Sequence, residues 1–133
     1  MLRDDLCYLS GLIDGEGSIT LEITHGWAPR LAISQKFPAI IRWLHQTFGG
    51  SMYQSRDKER PQRWNWVVSG RQAVNVLAMA LPWLVEKKPQ AELLFDAQRQ
   101  TTQRHGRRVS LEEKALRCGY KLALQEAKRH ATV

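Results

Sequence analysis

Between residues 4 and 24 the spacing of apolar side chains changes once, sharply. Leu6, Leu9 and Ile13 lie three and then four positions apart, which marks one face of a helix. From Ser18 the interval becomes two: Ile19, Leu21 and Ile23 alternate with Ser18, Thr20, Glu22 and Thr24, as in a strand with one buried face. Gly15 and Gly17 mark the boundary and end the helix, while Asp4 and Asp5 suit its N-terminal, positive end. Such a chain must pass from helix to strand within a residue or two, and it carries Asp14 and Glu16 at the corner.

The same reading extends along the chain. HGWAP, residues 25 to 29, is expected to be a turn before a second strand from Arg30 to Lys36, with Leu31 and Ile33 inward. Pro38 opens a helix made amphipathic by Ile40, Ile41, Leu44 and Phe48, and Gly49-Gly50 stops it. Strands over about Ser51 to Arg56 and Arg63 to Ser69 follow, with Trp64, Trp66 and Val68 on one face and Arg63 and Asn65 on the other. A third helix, about Arg71 to Leu81 with Val74, Leu77 and Ala78, is interrupted at Pro82, and another covers about Gln90 to Thr102. Ser110 and Glu113 form a capping box for a last helix, about Leu111 to Arg129, with an apolar stripe of Leu111, Ala115, Leu116 and Leu122. The order predicts an α+β fold with one mainly antiparallel sheet.

A length of 133 residues fits one domain, and 43% hydrophobic with 25% charged residues is globular composition. The net charge of +7 favours a polyanionic partner, nucleic acid or an anionic membrane surface, and composition does not choose between them. No uncharged apolar run approaches the roughly 20 residues of a membrane span. The N-terminus lacks the order of a signal peptide, so an intracellular protein is expected. Cys7 and Cys118 stand far apart with no Cys/His cluster, which argues against structural zinc.

The nonapeptide LSGLIDGEG, residues 9 to 17, resembles the LAGLIDADG motif of homing endonucleases. Leu9, Gly11, Leu12, Ile13, Asp14 and Gly17 match, with Ser10 for Ala, Gly15 for Ala and Glu16 for Asp. Gln35-Lys36 and PWLVEKKPQAELL, residues 82 to 94, are similar to stretches of single-motif members, and the resemblance covers roughly residues 4 to 98. It implies an αββαββα core, residues 1–102, whose sheet binds DNA; the resemblance does not reach residues 103–133, which read from their own charge and spacing as a basic helical extension. It also implies site-specific cleavage of both strands, leaving staggered ends, with Mg²⁺ as cofactor and Mn²⁺ able to substitute. Glu16 and the Gly15 backbone carbonyl are the implied metal ligands, Gln35 the residue that orients water, and Lys87 the phosphate-stabilising cation, with Lys88 one register step away. Glu16 is one methylene longer than the motif's Asp. Asp14 is expected to bond locally.

Alternatives stand beside each of these. Asp14 to Gly17 alone read as a helix end with two solvated acids, Gln35 alone as a surface residue, and Lys87-Lys88 as a solvated pair. The same scaffold also supports a DNA-binding regulator or an RNA-splicing maturase. On the endonuclease reading, the open sheet face supplies Thr20, Glu22, Thr24, Arg30, Ser34, Lys36, Gln54, Arg56, Arg63 and Asn65 to a DNA groove. From Ala97 to Val133, nine basic and three acidic residues give +6 of the total +7, a segment suited to phosphate contacts. A single motif leaves half an active centre, which implies a homodimer through Leu9, Ser10, Gly11 and Ile13 on a near-palindromic site.

Overall fold

The computed structural model describes residues 2–22, 27–55, 62–100 and 110–131, the last two without their side chains. Helix α1 (Arg3–Glu16) runs directly into strand β1 (Gly17–Glu22), followed by β2 (Ala28–Gln35), α2 (Pro38–Phe48), β3 (Ser51–Gln54) and β4 (Trp64–Ser69). Helix α3 (Gly70–Ala80), a 3₁₀ turn (Leu81–Trp83), α4 (Lys88–Gln100) and α5 (Leu111–Ala131) complete the chain. The strands form one antiparallel sheet in the order β1-β2-β4-β3. The α+β architecture expected from the sequence is the one observed.

Period-two alternation sets the two faces of the sheet. Ile19 and Leu21, Leu31 and Ile33, and Trp66 and Val68 are buried under the helices, each pair's register placing them side by side. From α1, Leu9 and Ile13 join this core at 0% exposure. An aromatic chain ties the motif helix to the sheet: Tyr8 meets Trp43 edge-on at 5.0 Å, Trp43 meets Phe48 at 5.7 Å, and Phe48 lies 6.4 Å from Trp66. The Trp66 indole N–H donates to the Gly49 carbonyl at 2.7 Å. Gly49 and Gly50 hold φ of 76° and 84°, which lets α2 stop and β3 begin at once.

Two expectations about burial are corrected. Ala78 is exposed, and α3 packs through Ala73, Val76, Leu77 and Ala80. On α5, Leu111, Leu116 and Leu122 are 84%, 39% and 65% exposed, so that stripe does not dock. The helix is held instead by Leu124, at 2% exposure, by Tyr120, and by Arg117, whose guanidinium lies 5.6 Å from the Trp27 ring and 3.4 Å from Glu113. An arginine stem with a ring beneath its head packs as an apolar residue does. Ser110 caps α5, accepting from the Glu113 backbone N–H at 3.1 Å.

Candidate active site and nucleic-acid interface

The corner between α1 and β1 is made possible by Gly17. Its backbone N–H caps the helix by donating to the Ile13 carbonyl, and a Cβ on residue 17 would lie 2.7 Å from that oxygen and 2.9 Å from the Ile13 Cα. Those neighbours are backbone and cannot rotate away. Gly17→Ala is therefore expected to destabilise the protein by about 1–3 kcal/mol, visible as a lower midpoint in urea unfolding, and an unchanged midpoint would contradict the tight corner.

Asp14 and Lys87 lock this corner to the segment after α3. The Asp14 carboxylate accepts the backbone N–H of Val85 and of Lys87, both at 2.9 Å. In return the Lys87 ammonium donates to the Ile13 and Asp14 carbonyls at 2.8 and 3.0 Å. A cation at the C-terminal, negative end of a helix is favoured by the helix dipole. Lys87 is thus seated against the motif, while Lys88 starts α4 and is exposed.

Glu16, the last residue of α1, is exposed. With Ile13 and Asp14 carbonyls engaged by Lys87, the remaining carbonyls of the final turn, Gly15 among them, have no intrahelical donor. A carboxylate beside free carbonyl oxygens is an all-oxygen donor set that fits a hard divalent cation. Among the described residues, no group of three or more His, Cys, Asp or Glu side chains could hold a metal ion. Gln35, half-buried, ends β2 two residues past the Gly17–Ile33 pair, so it lies at the same end of the sheet as Glu16. Beside the corner opens a cleft of about 350 Å³ lined by Asp14, Gly15, Gly17, Ser18, Glu86, Lys87, Gln90 and Lys128.

The sheet face opposite the buried Ile19–Leu31–Trp66 row carries Thr20, Glu22, Arg30, Ser34, Arg63 and Asn65, as expected, but these are not equally free: the Thr20 hydroxyl is buried, in a groove shared with α5. Glu22 and Arg30 form an ion pair at 3.3 Å. Asn65 is 8% exposed, accepting from Ser34 Oγ and donating to Ser55 Oγ, both at 2.5 Å, so it organises the face and cannot present its amide to a base. Arg63 is exposed and reaches the Ser34 carbonyl at 3.4 Å. Lys36, just past β2, is exposed with its ammonium 5.7 Å from the Phe37 ring. Gln54 is a correction: it pairs with Trp64 and belongs to the helix-covered face, bonded to Gln62 at 2.9 Å. Tyr53, 47% exposed and opposite Asn65, takes the open-face position. A one-residue error in parity moves every side chain of a strand to the other face. Thr24 and Arg56 lie outside the described residues.

The residues expected to pair two motif helices are also corrected. Leu9, Ser10 and Ile13 are 0% exposed within the chain's own core, and Ser10 Oγ bonds the Leu6 and Ala80 carbonyls at 2.8 and 3.0 Å. Truncating a fully buried Leu9 or Ile13 to alanine costs about 2–5 kcal/mol, so the apolar half of the motif serves the chain's own fold. The outward stripe of α1 is Asp4, Tyr8, Gly11 and Gly15, with Val85, 82% exposed, near its end. A Cβ on Gly11 or Gly15 would meet nothing within 4 Å.

No protein-family model matches the sequence, and a search of curated proteins gave no match. Solved structures do match. The chain is similar to the archaeal intron-encoded homing endonuclease I-Vdi141I complexed with DNA (TM-score 0.74, 16% identity, 93% of this chain and 84% of that one). It is also similar to the homing endonuclease I-TnaI (TM-score 0.65, 16% identity, 96% and 95%). A third match is the homing endonuclease I-CvuI, solved on an uncleaved DNA target with 2 mM Mg (TM-score 0.62, 20% identity, 74% and 68%). Other matches are LAGLIDADG homing endonucleases of which this chain spans 34 to 36%. The chain has the fold of the LAGLIDADG homing endonucleases.

Proposed function

We propose that the protein is a homodimeric, divalent-metal-dependent endonuclease that cuts double-stranded DNA at a specific, near-palindromic site. One observation carries the reading: the exposed Glu16 carboxylate, delivered at the end of the motif helix, with the Lys87 ammonium fixed to the carbonyls of Ile13 and Asp14 in the same turn. An acid has little use beside a polyanion unless a cation stands between them.

Two chains pair through the Tyr8–Gly11–Gly15 stripe, where the absent side chains let helix axes approach closer than the usual distance of about 8–10 Å. Pairing brings two Glu16 carboxylates, each with its Gly15 carbonyl, to a two-fold axis and so doubles the donor set. Glu16 and the Gly15 carbonyl would hold Mg²⁺, which when bound supplies the electrophile for the scissile phosphate and lowers the pKa of a bound water. Gln35 orients the attacking water, and Lys87 offsets charge that grows on the phosphate. Arg30, Arg63, Lys36 and Tyr53 meet the DNA groove, while Asn65, Ser34 and Ser55 fix the shape of that face.

The test is incubation with a plasmid library of randomised sites. Linear products are expected in Mg²⁺ and none in EDTA; a library left intact in Mg²⁺, or cut equally in EDTA, would defeat the proposal.

A further inference from the structure

Helix α5 carries a second face that the apolar spacing conceals. Lys121, Leu124 and Lys128 recur at intervals of three and four, and Leu124 anchors this face in the core at 2% exposure. Lys121, Gln125 and Lys128 line a groove of about 220 Å³ against Thr20, Leu21 and Glu22 of β1. Lys128 lines the active-site cleft as well, across from Asp14, Glu86 and Lys87. It is therefore the residue at which the C-terminal helix enters the catalytic corner.

Its placement is unfavourable in the free protein. Burial, and then the positive charge of Lys87, lower the Lys128 pKa from its usual value. The carboxylate that faces it from α1 is engaged, since both Asp14 oxygens accept backbone N–H groups. Two lysines converge on one cleft beside the carboxylates of Asp14 and Glu86, one of the lysines partly desolvated, and both ammonium groups are placed to donate to an anion that enters the cleft.

We propose that Lys128 is a second phosphate-contacting lysine of the cleavage centre, holding with Lys87 the DNA backbone beside Glu16. The proposal rests on the endonuclease reading for its role in cutting, though not for its phosphate contact. In this arrangement α5 is part of the active centre, and the basic C-terminal segment does more than add general affinity. Nothing covalent forms; the ammonium donates to a phosphate oxygen and offsets charge that accumulates there.

The test compares Lys128→Gln and Lys128→Arg with Arg42→Gln, an equal loss of charge from the exposed side of α2. On arbitrary duplex DNA in EDTA, Lys128→Gln is expected to reduce the slope of log K against log salt by about 0.9, one phosphate contact, while Lys128→Arg keeps it. At saturating protein on a cleavable site, Lys128→Gln should slow single-turnover cutting by about ten- to a hundredfold, with Lys128→Arg and Arg42→Gln close to the unaltered protein. Lys128→Gln should melt no lower than the unaltered protein, since it removes a disfavoured charge. An unchanged salt slope overturns the phosphate contact, and an unchanged cutting rate overturns its place in the cleavage centre. If no site is cut by the unaltered protein, the endonuclease reading fails, while a reduced salt slope would still support Lys128 as a phosphate ligand.

Discussion

Glu16→Gln is expected to abolish cleavage while leaving DNA binding almost intact. The side chain is exposed at the end of α1, so the isosteric change should alter stability by no more than about 0.5 kcal/mol. What it removes is charge. A neutral amide is a poor ligand for a hard divalent cation, and loss of the bound electrophile should lower the single-turnover rate by at least a hundred- to a thousandfold. Binding, measured in Ca²⁺ or without metal, is expected to depend on the sheet face and the basic residues and should change by less than about threefold. Retained cutting in Mg²⁺ would refute the role assigned to Glu16; loss of binding and cutting together would point to a structural acid.

The second large effect is expected from Gly11→Leu. Within one chain a side chain at residue 11 meets nothing, and replacing a helical glycine raises intrinsic helix propensity by about 1 kcal/mol, so the monomer should fold as well as before or better. In a pair of closely packed α1 helices, the leucine has no space. Sedimentation at micromolar concentration should then report a monomer, where a dimer is expected of the unaltered chain, and cutting should vanish with the dimer. A Gly11→Leu dimer that still cuts would mean that the chains pair by another surface. The experiment is selective because Leu9, Ser10 and Ile13 serve the core; their substitution would confuse unfolding with loss of pairing.

How far the sequence carried these arguments differs from element to element. The α1–β1 corner was legible because the apolar period falls from 3.6 to 2 at two glycines, and Gly17 proves to sit where no side chain fits. The sheet faces of β1, β2 and β4 were legible for the same reason. Strand β3 was not: in Ser51 to Gln54 the adjacent Met52 and Tyr53 leave two parities open, and only pairing with Trp66 and Asn65 decides that Met52 faces the core. The motif helix misled differently. Small Ser10 looks available to a partner helix, yet its hydroxyl is committed to the Ala80 carbonyl, and no one-dimensional pattern says which side of a helix meets its own core. On α5 the docking residue is an arginine over Trp27, which apolar spacing does not register. Lys128 is illegible in the sequence for a related reason, since only the folded path of α5 sets it beside Lys87.

The most direct measurement of the central claim is the position of both cuts on a site recovered from the randomised library. Two motif helices joined at a two-fold axis, each ending in Glu16, predict one cut per strand, the pair staggered across the minor groove and symmetric about the centre of a near-palindrome. A single nick, or two cuts with no symmetry relation to the sequence between them, would contradict an active centre shared by two copies of this chain.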